Sequence, residues 1–243
     1  MKKNILITGS ARRIGATCIR YLHEQGHNLI LHYHTSEIEA HALADQLNQK
    51  RPDSIRVIRA DLSHLDDLTR LAQEASNAWG GLDALINNAS AFYPQPIQEV
   101  TLEDWDILMD SNLKAPFFLI QQALPFLKER QGCVINIIDI HAERGLAGYP
   151  VYSMAKAGLA AMTRILAKDL GPEIRVNGVS PGAVLWPEQD MTESQKQDIL
   201  ERIALKRTGE PFDIARTVHF LLDRAPYITG QIIAVDGGRT LHC

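Results

Sequence analysis

Tyr152 and Lys156 are the residues whose types and spacing most directly suggest chemistry. They lie four apart in the run PVYSMAKAGLAAMTRILA, which opens with Pro150. On a helix that spacing puts both side chains on one face, with Cβ atoms about 5–6 Å apart. An ammonium beside a phenol favours phenolate, and so draws a tyrosine down from its ordinary pKa of about 10 toward a range where it exchanges protons at neutral pH. Such a pair suits a proton donor standing beside a hydride acceptor. It equally suits a solvated helix face, where most such pairs are found. The elements around it have to decide.

Those elements alternate between short apolar runs and longer amphipathic ones. Strand-like runs fall at 4–8, 28–33, 55–60, 84–87, 134–138, 175–179 and 232–235, and helical patterns around 13–25, 36–49, 65–79, 102–129, 151–169 and 211–223. The alternation predicts an α/β fold: a doubly wound, Rossmann-type sheet of about seven mostly parallel strands with helices on both faces and ligands at the carboxyl ends of the strands. No repeat, low-complexity tract or linker divides residues 1–243, so a single domain is expected. A net charge of −4 supplies no basic stripe for nucleic acid or anionic membrane. The three cysteines, Cys18, Cys133 and Cys243, form neither a CxxC nor a Cys/His cluster, which speaks against a zinc site or disulfide framework. With no signal-peptide pattern and no eighteen-residue apolar run, a soluble cytoplasmic protein is expected.

The first strand-like run enters Thr8-Gly9-Ser10-Ala11-Arg12-Arg13-Ile14-Gly15. A glycine-bearing turn between strand and helix brings a dinucleotide pyrophosphate to helix-terminal N–H groups. Arg13 stands at the middle position of a three-glycine turn, where its guanidinium could bind phosphate or be a solvated charge. At the end of the second run the chain reads His32-Tyr33-His34-Thr35-Ser36. NAD enzymes usually place a carboxylate here for the ribose hydroxyls. His34, Thr35 and Ser36 instead offer donors for a 2′-phosphate, so NADPH is the predicted cofactor, although Ser36 also reads as a helix cap. Asp61, before Leu62, could accept from an adenine amino group or cap the next helix. Asn87-Asn88-Ala89-Ser90-Ala91-Phe92-Tyr93 is a small-residue loop that lets backbone approach a flat ligand. Asn112 is a polar residue in an apolar helical pattern: either a satisfied core amide or the holder of a water relaying protons to Lys156.

Taken together, the turn Thr8 to Gly15, the loop Asn87-Asn88-Ala89, Asn112, Tyr152-Ser153-Met154-Ala155-Lys156, Arg175-Val176-Asn177, Pro181-Gly182 and Asp236-Gly237-Gly238 resemble the short-chain dehydrogenase/reductases along essentially the whole chain. Within them the sequence is most similar to the pteridine reductases. The shared features are arginine in place of the central glycine, Leu31-His32-Tyr33-His34, the loop Asn88 to Pro94, and aspartate at 139. The resemblance implies NADPH-dependent reduction of dihydropterins to tetrahydropterins, extending to oxidised pterin or dihydrofolate, in a homotetramer built through helices 102–129 and 151–169. Asp139, Tyr152, Lys156 and Asn112 would be catalytic. Gly9, Arg13, Ile14, His34, Thr35, Ser36, Asp61, Leu62, Asn88, Ala89, Ser90, Tyr152, Lys156, Pro181 and Gly182 would hold the cofactor.

Asp139 takes the place of a serine common in the superfamily. At the end of an apolar strand its carboxyl should be partly desolvated and usable as an acid, if it does not merely cap loop N–H groups. Phe92 would stack the pterin on the nicotinamide, with Ser90 and Arg13 near its polar edge and Tyr149 and Trp186 bordering the cavity, beneath a lid of about residues 183–208. Two features depart from the family pattern. Thr35 stands where several pteridine reductases have arginine, and no threonine follows Pro181-Gly182. The tail ending His242-Cys243 leaves open whether Arg239 or His242 enters a neighbouring subunit's site. Other readings are a reductase of ketones or 3-oxoacyl thioesters and a non-catalytic NADP(H) sensor.

Overall fold

The computed structural model describes residues 2–186 and 191–241. Part of the lid, residues 187–190, and the tail residues His242 and Cys243 lie outside the described residues. Seven strands, β1 (Asn4–Ile7), β2 (Asn28–Tyr33), β3 (Ile55–Arg59), β4 (Ala84–Asn87), β5 (Cys133–Ile137), β6 (Arg175–Pro181) and β7 (Ile232–Val235), form one sheet in the order β3-β2-β1-β4-β5-β6-β7. Every pairing is parallel. β1, β2, β4 and β5 are buried at every residue, as expected of strands covered on both faces. The order reverses beside β1, where neighbouring crossovers diverge and a crevice opens at the strand ends.

Helices α1 (Arg13–Glu24), α2 (Glu37–Lys50) and α9 (Pro211–Asp223) cover one face. On the other lie α3 (Leu65–Asn77), α5 (Ala115–Glu129) and α7 (Pro150–Asp169). Of the remaining helices, α4 (Leu102–Met109) reaches the crevice through Asp106 and Ile107, the short α6 (His141–Arg144) follows β5, and α8 (Glu193–Glu201) follows β6. Their starts follow local chemistry: Thr101 and Asp104 form a capping box on α4, Thr192 and Gln195 another on α8, and Pro150 and Pro211 occupy first-turn positions. Among the described residues no helix is long and apolar enough to cross a membrane.

The sequence expectations differ from this fold in two instructive places. β6 runs on through Pro181, whose missing donor is tolerated because the N–H of the next residue, Gly182, donates to Val235 O at 3.0 Å. The single helical pattern 102–129 is in fact two helices joined by a wide π-turn, Asp110–Lys114, which carries Asn112. Amphipathic periodicity cannot reveal one extra residue in a turn, because the apolar face resumes after it.

Candidate active site

One crevice of about 1140 Å³ runs along the strand ends from β3 to β6. Six strands at about 4.8 Å spacing make it roughly 24 Å long, the scale of an extended dinucleotide. At the β1 end, Gly9 has φ +58°, and a Cβ there would lie 2.8 Å from Ala89 Cα. A Cβ at Gly15 would meet Gly9 O at 2.6 Å and Asn88 Nδ2 at 2.7 Å. Both glycines are thus required by the close approach of the 88–89 loop, which Asn88 fastens by donating to Thr8 O and Gly9 O at 2.9 and 3.0 Å. Arg13 holds φ +52° in the central-glycine position, a left-handed conformation costing a side-chain-bearing residue about 1–2 kcal/mol. No side chain caps the first turn of α1, so its N–H groups suit a phosphate.

His32 keys this turn to the sheet. Its Nδ1 accepts from Gly9 N–H at 3.0 Å, which leaves the proton on Nε2 to donate to Ala60 O at 3.1 Å. Burial holds its pKa down at about 4. Farther along, His34, Thr35 and Ser36 from β2 and Asp61 and Leu62 from β3 line the crevice, and no carboxylate belongs to the β2 end. Asp61 Oδ2 lies 3.5 Å from His34 Nε2, while its Oδ1 accepts from Ser63 N–H and Oγ–H at 3.0 and 2.7 Å. Its turn-capping and its exposure to the crevice therefore coexist. These side chains and the uncapped helix end fit a dinucleotide with a phosphorylated ribose.

At the β5–β6 end, Asp139, Tyr149, Tyr152, Lys156, Pro181 and Gly182 line the crevice, and Ser90 and Phe92 face it from the β4 loop. Tyr152 Oη donates to Asp139 Oδ2 at 2.8 Å, and Asp139 Oδ1 accepts from His141 N–H at 2.8 Å. Lys156 Nζ donates to Ile137 O at 3.0 Å and stands 5.7 Å from the Tyr152 ring centre. The expected lowering of the phenol's pKa by Lys156 is overturned. Burial first, and then the Asp139 charge and hydrogen bond, push Tyr152 well above its ordinary value. Burial also lowers Lys156 to about 8, with Asp139 acting in the opposite direction. The Phe92 ring stacks on Tyr149 at 4.7 Å between centroids and meets Tyr152 edge-on at 4.8 Å, while remaining partly open to the crevice.

Two expected residues are not on the wall. Trp186 does not line the crevice; its backbone O accepts from Arg13 Nη2 at 3.3 Å, tying the start of the lid to the phosphate turn. Asn112 is fully buried and its amide is satisfied, with Nδ2 donating to Ala91 O and Leu108 O, both at 2.9 Å, and Oδ1 accepting from Ser90 Oγ–H at 2.6 Å. Arg12, Tyr93, Asp106, Asp110 and Ser111 line the crevice and were not anticipated. The doubled arginine in the phosphate turn was a usable signal for Arg12. For Asp110 and Ser111, one-residue displacement in the π-turn hides which side chains face inward. Arg239 belongs to a short turn anchored by Asp236, which accepts from Gly238 and Thr240 N–H at 2.9 and 2.7 Å. Its guanidinium feels the Asp139 charge of its own chain.

A family model described as Enoyl-(Acyl carrier protein) reductase matches residues 9–240. The 3-oxoacyl-(acyl-carrier-protein) reductase FabG of Staphylococcus epidermidis is 36% identical over 245 residues, covering 98% of this chain and 99% of that protein. Pteridine reductase 1 of Leishmania tarentolae is 35% identical over 280 residues, covering 97% and 96%. The crystal structure of a blue fluorescent protein from a metagenomic library, in complex with NADPH, superposes with a TM-score of 0.90 at 34% identity, covering 98% of both chains. The chain belongs to the short-chain dehydrogenase/reductase superfamily and is an oxidoreductase of that type. Its similarity to the two named reductases is equal within a percentage point, so the substrate has to be argued from side chains.

Proposed function

We propose that this protein is an NADPH-dependent reductase of pterins, converting dihydropterin to tetrahydropterin. The observation that carries the reading is the 2.8 Å hydrogen bond between Tyr152 Oη and Asp139 Oδ2 beside the stacked Phe92 and Tyr149 rings. Reducing a ring C=N bond requires a proton at nitrogen, and a phenol–carboxylate pair holds one between two oxygens at the crevice wall. Bound NADPH supplies the hydride. Lys156, with one N–H given to Ile137 O, keeps two donors for ribose hydroxyls, and its charge is felt by that of Asp139. Tyr152 and Asp139 deliver the proton, or water does so for the dihydropterin nitrogen. The aromatic wall suits a flat heterocycle better than a flexible acyl chain.

The test is a side-by-side spectrophotometric panel of NADPH with dihydropterins, dihydrofolate, a 3-oxoacyl thioester and simple ketones. Oxidation with dihydropterins supports the reading; oxidation with the thioester or ketones alone replaces it by the carbonyl-reductase alternative. The absence of an acid at the β2 end predicts NADPH binding at least about tenfold tighter than NADH, and equal dissociation constants would refute that assignment. The assembly belonging to this reading is a homotetramer. It is supported by exposed apolar side chains on the helices that would meet, Trp105 on α4, Phe117 on α5, and Met154 and Ile165 on α7.

A further inference from the structure

The turn after β7 and the end of α8 pack against each other beside the crevice. A Cβ on Gly237 would meet Ile203 Cγ2 at 2.8 Å, one on Gly238 would meet Ala204 Cβ at 2.8 Å, and Leu205 N–H donates to Gly237 O at 3.1 Å. Gly182, on the crevice wall, closes the join, since a Cβ there would lie 2.6 Å from Asp236 Cα. Arg202 and Arg239 flank this contact. Arg202 is the C-cap residue of α8, and Arg239 opens the short turn in which its N–H donates to Asp236 O at 3.2 Å. Among the described residues neither guanidinium has a hydrogen bond or an ion pair. The neighbouring carboxylates are engaged elsewhere, Asp236 by Gly238 and Thr240 N–H and Asp139 by Tyr152 Oη–H and His141 N–H.

A helix end explains a cation at Arg202, where the macrodipole favours positive charge. Nothing of the kind explains Arg239. It is half-buried; burial lowers its pKa, Asp139 opposes that shift and the Arg202 charge adds to it. Two like charges held together, one of them partly desolvated and without a hydrogen bond, cost free energy until an anion arrives.

We propose that Arg202 and Arg239 form an anion-binding subsite at the β5–β6 end of the crevice, which takes a carboxylate or phosphate carried on the flexible substituent of the substrate. Forked N–H donors match either group two bonds at a time. The inference rests on the pterin reading for the ring that bears the substituent. In a 7,8-dihydropterin the double bond to be reduced ends at carbon 6, and the same carbon carries the substituent. The tail therefore leaves the ring at the reacting groups, Asp139 and Tyr152, and the next charge met beyond Asp139 is that of Arg239.

The test uses the full-length protein saturated with NADP⁺, which binds ligand without turnover. Dissociation constants are measured for two pairs: 7,8-dihydroneopterin with its 3′-phosphate, and 7,8-dihydrofolate with its diamide, which lacks both carboxylates. Wild type at low salt should bind the anionic member of at least one pair about tenfold tighter or more, and the pair that shows it tells phosphate from carboxylate. About 0.5 M salt should shrink that advantage. Arg239→Gln should narrow it to within about threefold, Arg239→Lys should keep part of it, and Arg202→Gln should reduce it to an intermediate value. Equal binding within both pairs by wild type overturns the inference even if dihydropterins are reduced. An advantage that survives Arg239→Gln and Arg202→Gln undiminished overturns it as well. If Arg239→Gln does not fold, Arg202→Gln on the exposed flank decides. A wild type that shows the advantage but reduces no dihydropterin sinks the proposed function and leaves this subsite standing; binding of none of the four ligands overturns both.

Discussion

A phenol hydrogen-bonded to a carboxylate at 2.8 Å keeps its proton until something in the crevice takes it. Spacing in the sequence places Tyr152 and Lys156 on one helix face and so makes the pair legible, but it cannot show which third group faces the phenol. That group is Asp139, and burial of the phenol, joined by this neighbouring charge, reverses the expected direction of the tyrosine's pKa. In the proposed mechanism the proton is therefore the one held between these two oxygens. Tyr152→Phe and Asp139→Ala should each cut turnover with dihydropterin by about 100-fold or more, with NADPH affinity nearly intact, as measured by steady-state kinetics and cofactor titration. Unchanged turnover in both variants would remove the mechanism. Arg13 teaches a related lesson: its type breaks a glycine pattern, yet the backbone keeps the left-handed conformation a glycine would have supplied.

Elements were read more successfully than their ends and joints. The strands β1, β2, β4 and β5 are visible as apolar runs because a parallel sheet covered on both faces leaves them no polar side, whereas β3 at the edge interleaves exposed Arg56 and Arg59 with its apolar residues. What periodicity misses is held by tertiary hydrogen bonds. The extension of β6 through Pro181 depends on β7, and the joint between α4 and α5 is a turn one residue too wide. His32 is the clearest case of a tertiary key, joining the β1–α1 turn, β2 and the end of β3 through its two ring nitrogens. Protonation at Nδ1 would abolish the bond from Gly9. Its folded pKa of about 4 lies below the unfolded value near 6.5. The unfolded chain therefore binds more protons between those limits, and this residue's contribution to stability is present above pH 6.5 and is lost as pH falls toward 4. Between pH 7 and pH 5 the loss should be about 2 kcal/mol. Urea unfolding at the two pH values should show that difference shrinking in His32→Gln; an identical pH dependence in the variant would show that the imidazole is not the responsible group.

At the scale of the whole molecule, one crevice crosses six strand ends, so the residues proposed for the cofactor and for the reaction line the edge of a single sheet. Overall likeness stands at 36% to a 3-oxoacyl reductase and 35% to a pteridine reductase, too even to choose between them. The proposed choice of a pterin rests on a few side chains at the β4 and β5 ends, Phe92, Asp139, Tyr149 and Tyr152. The exposed apolar groups on α4, α5 and α7 lead to a further expectation: Phe117→Asp combined with Ile165→Asp should shift the protein from tetramer toward smaller species in light scattering, with the monomer's helix content retained. A wild type that is already monomeric would refute the assembly. The wide turn at Asp110–Lys114 itself packs closely on α7, since a Cβ on Gly158 would come within 2.8 Å of Leu113. Its consequence is that chain length itself becomes a functional quantity at this point. Removing one residue there would restore regular winding and rotate the remainder by about 100°, giving a better-ordered helix whose Asn112 no longer meets Ser90 and Ala91.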